Sequence, residues 1–246
     1  LRARGLHVDR NDLGPLRVPS SPVEKADPYS DRASRVVRAL LSVPRARAWT
    51  TSGLAVAAQV DVSTASRVVR VLRQRELVVD EAPGQGRASS IRVIDPATLL
   101  GDWTRRYSWD DNRSLRVAAP IGSPARFLDR LPDLLGDSQW ALSLQAGASL
   151  IAPHADYDLV HVYVVQPEAV ALTHGWDPSP AGRLVLMEPA YMESVWFQMQ
   201  RRSDLAVVGT IQLILDLWHY PVRGREQAEH LVESVLRPTW ERDGES

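Results

Sequence analysis

Three arginines and two serines recur along one stretch of this chain at a spacing that suits contact with a polyanion. Ser63, Ser66, Arg67, Arg70 and Arg73, together with Gln74, share one side of a helix when positions are turned at ~100° per residue. Ala65, Val68, Val69 and Leu72 fall in an arc of roughly 100° on the opposite side, with Thr64 and Val71 at the boundary. A guanidinium fork matches a guanine edge, and serine contacts phosphates or bases. One face packs and the other suits the major groove of double-stranded DNA. Ser63, Thr64, Ser66, Arg67, Arg70 and Arg73 are therefore candidate contacts, joined by Arg87 on a later hairpin.

A second set of residues points to different chemistry. Gly147-Ala148 precedes Asp156-Tyr157-Asp158 at the mouth of an apolar strand. Two carboxylates one residue apart leave a strand on the same face, where they can hold magnesium for phosphoryl transfer. The spacing resembles the Gly-Ser then Asp-x-Asp pattern of polymerase-β-like nucleotidyltransferases. It departs at Ala148, and no third carboxylate sits on a suitably placed later strand. A solvated loop before the strand is the better reading, and no catalytic residue is assigned. The alternative is a nucleotidyltransferase-like enzyme using Asp156 and Asp158, or a stand-alone regulator that senses a ligand.

Other chemistries find no foothold. No histidine pair has the i, i+4 spacing of a helical zinc site, and no Gly-x-Ser-x-Gly elbow is present. His161 lies inside an apolar strand. Gly84-Gln85-Gly86-Arg87 lacks the Gly-Lys-Ser/Thr ending of a phosphate loop. The absence of cysteine excludes disulfides, thiolate zinc sites and a cysteine nucleophile. Neither a metal nor a cofactor is expected.

Across 246 residues, 44% are hydrophobic and 24% charged, an ordinary globular composition with ample core material. The net charge of −1 hides an uneven distribution. Residues 31–94 carry eleven Arg and five acids, or +6, and the remainder carries −7. A basic block followed by an acidic one suggests two modules with different partners. All but one of the 29 basic residues are arginine, the exception being Lys25. There is no apolar run of ~18 residues, so no membrane span or membrane partner is expected, and a cytoplasmic location follows.

The elements that must position the arginines can also be traced. Ala33, Val36, Val37, Leu40 and Leu41 form a helical stripe with Ser30 as N-cap. Thr50 or Thr51 caps a short second helix with Leu54, Ala57 and Ala58 inward. The third helix runs through Arg75. Strands at 77–80 and 89–94 flank a Gly-rich loop carrying Arg87, and Asp95-Pro96 opens a fourth helix through Tyr107. Three helices and a hairpin make residues 30–108 a winged helix-turn-helix DNA-binding domain.

Beyond residue 113, helices and short strands alternate, with strands at 140–144, 159–165, 183–187 and 205–208. A helix with Phe127, Leu128, Leu131 and Leu135 precedes them. Two more follow, carrying Ile211, Ile214, Leu215 and Trp218, then Ala228, Leu231, Val232, Val235 and Leu236. This alternation marks 113–246 as a mixed α/β domain, so the chain as a whole is α/β in the broad α+β sense. Residues 1–29, with Pro15, Pro19, Pro22 and Pro28 and a first residue other than Met, read as a linker or the tail of a missing N-terminal segment.

The stretch Asp31-Arg32-Ala33-Ser34-Arg35-Val36-Val37-Arg38-Ala39-Leu40-Leu41, with the helices after it, resembles the winged-helix domain of AbiEi-type antitoxins of type IV toxin–antitoxin, or abortive infection, systems. Leu144-Gln145-Ala146-Gly147-Ala148-Ser149, the strand His161-Val162-Tyr163-Val164 and Ile211-Gln212-Leu213-Ile214-Leu215-Asp216-Leu217 are similar to that family's C-terminal domain. So are Tyr220-Pro221-Val222-Arg223-Gly224 and Glu226-Gln227-Ala228-Glu229. The resemblance covers residues 28–240 and rests on diffuse patterns. It implies a repressor that binds promoter repeats in its own operon, and a C-terminal domain that counters a nucleotidyltransferase toxin. The partners it implies are double-stranded DNA and a cognate toxin; a second copy of the chain, as homodimer, is a further expected partner.

Overall fold

The computed structural model describes residues 27–81, 89–136 and 138–242. Three helices come first: α1 (Asp31–Leu41), α2 (Thr51–Ala58) and α3 (Val62–Gln74). The α1 stripe is buried at Val36, Val37, Leu40 and Leu41. Thr50 caps α2 by accepting from the Gly53 amide at 3.1 Å. Ala55 rather than Ala57 joins Leu54 and Ala58 in the core, because α3 and α1 both press on that side of so short a helix. Strands β1 (Val78–Glu81) and β2 (Ser90–Val93) then pair antiparallel, with Val78 opposite Val93. Trp49, between α1 and α2, bridges to Ile91 through two 2.8 Å backbone hydrogen bonds. Helix α4 (Pro96–Thr104) is capped by the Asp95 carboxylate and ends before Tyr107.

The second half is a six-stranded mixed sheet. Its strands are β3 (Arg113–Val117), β4 (Trp140–Ser143), β5 (Val160–Val164), β6 (Leu184–Glu188), β7 (Gln200–Arg202) and β8 (Leu205–Val207). They lie in the order β3-β6-β5-β4-β8-β7. The pairs β6–β5 and β4–β8 are parallel and the rest antiparallel. Every residue of β4 and β5 is buried, so both faces of the sheet centre are covered, as a layered α/β arrangement requires. The mixed α/β expectation matches this architecture.

Helices α5 (Pro124–Leu128) and α6 (Leu131–Leu135) replace the single helix expected there. Pro132 lacks the amide that would have continued the first hydrogen-bond ladder. After β4 come α7 (Leu144–Ser149) and, past β5, α8 (Pro167–His174). Helices α9 (Thr210–Trp218), α10 (Gly224–Leu231) and α11 (Arg237–Trp240) close the chain. A π-helical turn, Val232–Leu236, joins the last two just before Pro238, which cannot donate to the preceding turn.

The halves share one continuous apolar cluster running from Tyr29 to Trp240. Polar contacts lock them as well. Trp240 on α11 donates its indole N–H to the Leu41 carbonyl at 2.7 Å, and the Arg45 amide donates to the Trp240 carbonyl at 3.0 Å. The fully buried Arg38 lies 4.9 Å from the Trp103 ring and donates to Gln212 Oε1 at 2.6 Å. Gln212 donates in turn to Asp216, also fully buried, at 2.7 Å. Asp216 accepts from Ser143 at 2.6 Å, from Tyr163 at 3.0 Å and from Tyr107. Thus β4, β5, α9 and the turn after α4 converge on one buried carboxylate, and Arg38 on α1 reaches it through Gln212. Burial pushes the Asp216 carboxyl upward against four donors that favour its anion, and lowers Arg38 to about 10.

Candidate nucleic-acid interface

Helix α3 is positioned by its own apolar stripe. Ala65, Val68, Val69 and Leu72 are at most 3% exposed and face α1 and α2. Asp61 caps it, accepting from the Thr64 amide at 2.8 Å. These constraints turn Ser63, Ser66, Arg67, Arg70, Arg73 and Gln74 outward, and all six are exposed.

The face is less uniform than its residue types suggest. The Ser63 hydroxyl donates to Asp61, which holds it back at the cap. Thr64 is 8% exposed; its hydroxyl donates to Asp61 at 2.8 Å and accepts from Arg67 at 3.0 Å. Thr64 therefore lies beneath the exposed face and steadies Arg67. Asp61 itself is held well below the usual carboxylate range by Ser63 and Thr64, so the N-terminus of α3 carries a fixed negative charge. Arg73 forms an ion pair with Asp80 on β1 at 2.6 Å. Arg70 has no hydrogen-bond or ion-pair partner among the described residues. Ser66, Arg67 and Arg70 thus form the available centre of the face, with Ser63 and Arg73 at its two ends. Arg87 lies outside the described residues.

Spacing alone did not reveal two neighbouring groups. Arg47 stacks 4.3 Å from the Trp49 ring, beside the strand bridge that ties the α1–α2 connection to β2. Val62, the first residue of α3, is 53% exposed. Its exposure follows from the same helical turn that exposes Ser66, although its apolar type does not mark it as a contact residue.

The second candidate site is arranged differently. Asp156 and Asp158 line an open cleft of about 380 Å³ with Arg116, Gln145, Tyr157 and Tyr220. The Asp158 side chain is 93% exposed and lies 3.7 Å from Arg183. Among the described residues, no three His, Cys, Asp or Glu side chains are grouped to hold a metal ion. Gly147 has a packing role here. A Cβ at that position would come within 2.9 Å of Leu213 and 3.0 Å of the Leu142 carbonyl, so α7 needs glycine to lie against α9 and β4.

His161 is buried on β5, edge-on to Trp109 and Tyr220. Burial, aided by the Arg116 charge, pushes its pKa down to about 3. The unfolded chain, with an ordinary imidazole near ~6.5, binds more protons between those values. This residue's contribution to stability is therefore full above about pH 6.5 and is lost as pH falls toward about 3. At ~1.4 kcal/mol per unit, the loss by pH 4 is about 3 kcal/mol. Urea unfolding at pH 7 and pH 4 should show wild type losing that much more stability than His161→Gln. Equal losses in the two proteins would show that the imidazole is not held neutral.

Among the described residues, no helix is long and apolar enough to cross a membrane. A family model described as transcriptional regulator, AbiEi antitoxin, of type IV toxin–antitoxin systems matches residues 92–237. No curated protein and no solved structure matches the chain.

Proposed function

Because this chain belongs to the AbiEi antitoxin family of type IV toxin–antitoxin transcriptional regulators, we propose that residues 30–108 form a winged helix-turn-helix that represses the chain's own operon by binding duplex DNA. The observation that carries this reading is the outward face of α3, where Ser66, Arg67 and Arg70 stand exposed on a helix clamped by its apolar stripe. Arginine forks at that spacing can clamp phosphates and read guanine edges in a major groove. The antiparallel β1–β2 pair and the Trp49–Ile91 bridge support a wing beside it. Arg87, outside the described residues, would add a further contact.

The mixed α/β domain, residues 113–246, would then counter the cognate toxin, a nucleotidyltransferase in systems of the kind this family serves. A homodimer would match repeated half-sites in the operator. The family is one of transcriptional regulators, which supports a role in recognition.

The direct test is a gel shift with the roughly 200 base pairs upstream of the operon. Wild type should retard this duplex in preference to a scrambled duplex, with affinity falling steeply as salt rises. Equal binding to both would sink the repressor reading. Co-expression with a nucleotidyltransferase toxin of a type IV system tests the other half: with residues 113–246 intact the chain should restore growth, and growth that stays arrested would count against the antitoxin reading.

A further inference from the structure

The polar groups of α3 account for only part of its outward face. Val62, Ser66 and Arg70 stand at i, i+4 and i+8 and so form one continuous ridge. At ~1.5 Å per residue the ridge spans about 12 Å, or roughly three to four base-pair steps. At its first position stands an isopropyl group, 53% exposed. A single exposed valine means little by itself. The groups around Val62 make this one informative. The two hydroxyls of the same turn, on Ser63 and Thr64, both donate to Asp61. Asp61 also accepts from the Thr64 amide, so the helix N-terminus is already capped by a negative charge. The first turn of α3 therefore has no free cationic or hydroxyl donor to offer a phosphate. What it presents at the head of the arginine ridge is an apolar surface.

In a major groove one base offers an apolar partner, through the C5-methyl group of thymine. We infer that Val62 is a specificity-determining residue that packs against a thymine methyl, about three to four base pairs from the base or phosphate engaged by Arg70. This rests on the proposed DNA-binding reading and deepens it. The ridge would read an apolar spot and a polar edge at a fixed separation. The Asp61 charge would disfavour close phosphate approach at the Val62 end.

The test uses the upstream duplex in two forms, one synthesised with thymidine and one with deoxyuridine throughout, which removes the methyl groups and nothing else. Affinities are measured by fluorescence anisotropy for wild type, Val62→Ala and Arg70→Ala. Wild type should bind the thymine duplex about fourfold more tightly for each methyl contacted. Val62→Ala should lose that preference, binding both duplexes alike. Arg70→Ala should bind both more weakly while keeping the wild-type ratio. The Val62 side chain is exposed, so Val62→Ala should melt with wild type. A wild type indifferent to the methyl groups, or a Val62→Ala protein that keeps the wild-type ratio, overturns the inference while leaving the DNA-binding reading in place. Failure of wild type to bind either duplex overturns that reading, and the inference with it.

Discussion

Replacing Arg67 and Arg70 together by alanine should weaken binding to the upstream duplex by two orders of magnitude or more at moderate salt. Each arginine placed on a base edge contributes on the order of 1–3 kcal/mol, and each phosphate contact contributes about one unit to the salt slope. The two roles give different signatures. If both arginines clamp phosphates, the slope of log affinity against log salt should fall by about two, with scrambled DNA losing affinity equally. If Arg70 reads a base, its single variant should erode the preference for the upstream duplex. Both side chains are exposed, and Arg70 has no partner among the described residues to orphan, so the double variant should keep the wild-type melting temperature. Arg73→Ala should cost less, since Arg73 already spends its charge on Asp80. Binding by the double variant as tight as that of wild type would mean that this face of α3 does not meet DNA.

Asp216→Ala should be among the most destabilising single substitutions in the chain. It would strip the acceptor from Tyr107, Tyr163, Ser143 and Gln212, leaving buried donors without partners. Breaking a buried charged network in this way costs about 3–5 kcal/mol. For a chain of this size, that lowers the melting temperature by roughly 10 °C. Arg38→Met should cost distinctly less. Methionine keeps much of the apolar stem over Trp103 and removes Nε and Nη1, two buried donors that have no partner among the described residues. Equal losses from the two substitutions would show that the carboxylate does not hold the network together. Because the network joins α1 to α9 and the apolar cluster is continuous, wild type should unfold in a single calorimetric transition. Two separated transitions in wild type would contradict that coupling.

How much of this was legible beforehand varies from element to element. The α3 face was readable because helical periodicity places residues on a side without any knowledge of neighbours, and burial matches the predicted stripe at Ala65, Val68, Val69 and Leu72. Strand β3 and helix α8 gave no clear signal. Strand β3 lies at a sheet edge with only Val117 fully buried, and Arg113 turns outward to Glu168 and Glu188. Edge strands lose the apolar alternation on which sequence reading depends. Gly147-Ala148 resembles the Gly-Ser of a nucleotidyltransferase pattern, whereas the fold uses the small size of Gly147 to seat α7 against α9.

By itself, the sequence determined which residues share a helix face, where the basic and acidic blocks lie, and which family pattern the second half carries. Those properties depend on local periodicity and composition, which no distant contact can change. The tertiary structure alone decided which of the face's groups are free. Asp61 claims the hydroxyls of Ser63 and Thr64, Asp80 claims Arg73, and Arg70 is left without a partner among the described residues. It alone also brought Arg38 to Gln212 across 174 residues, and set Asp216 among donors from β4, β5 and the Tyr107 turn. Hydrogen bonds between residues so far apart leave no periodic trace. They depend on where the backbone closes, and it closes where the apolar stripes find one another.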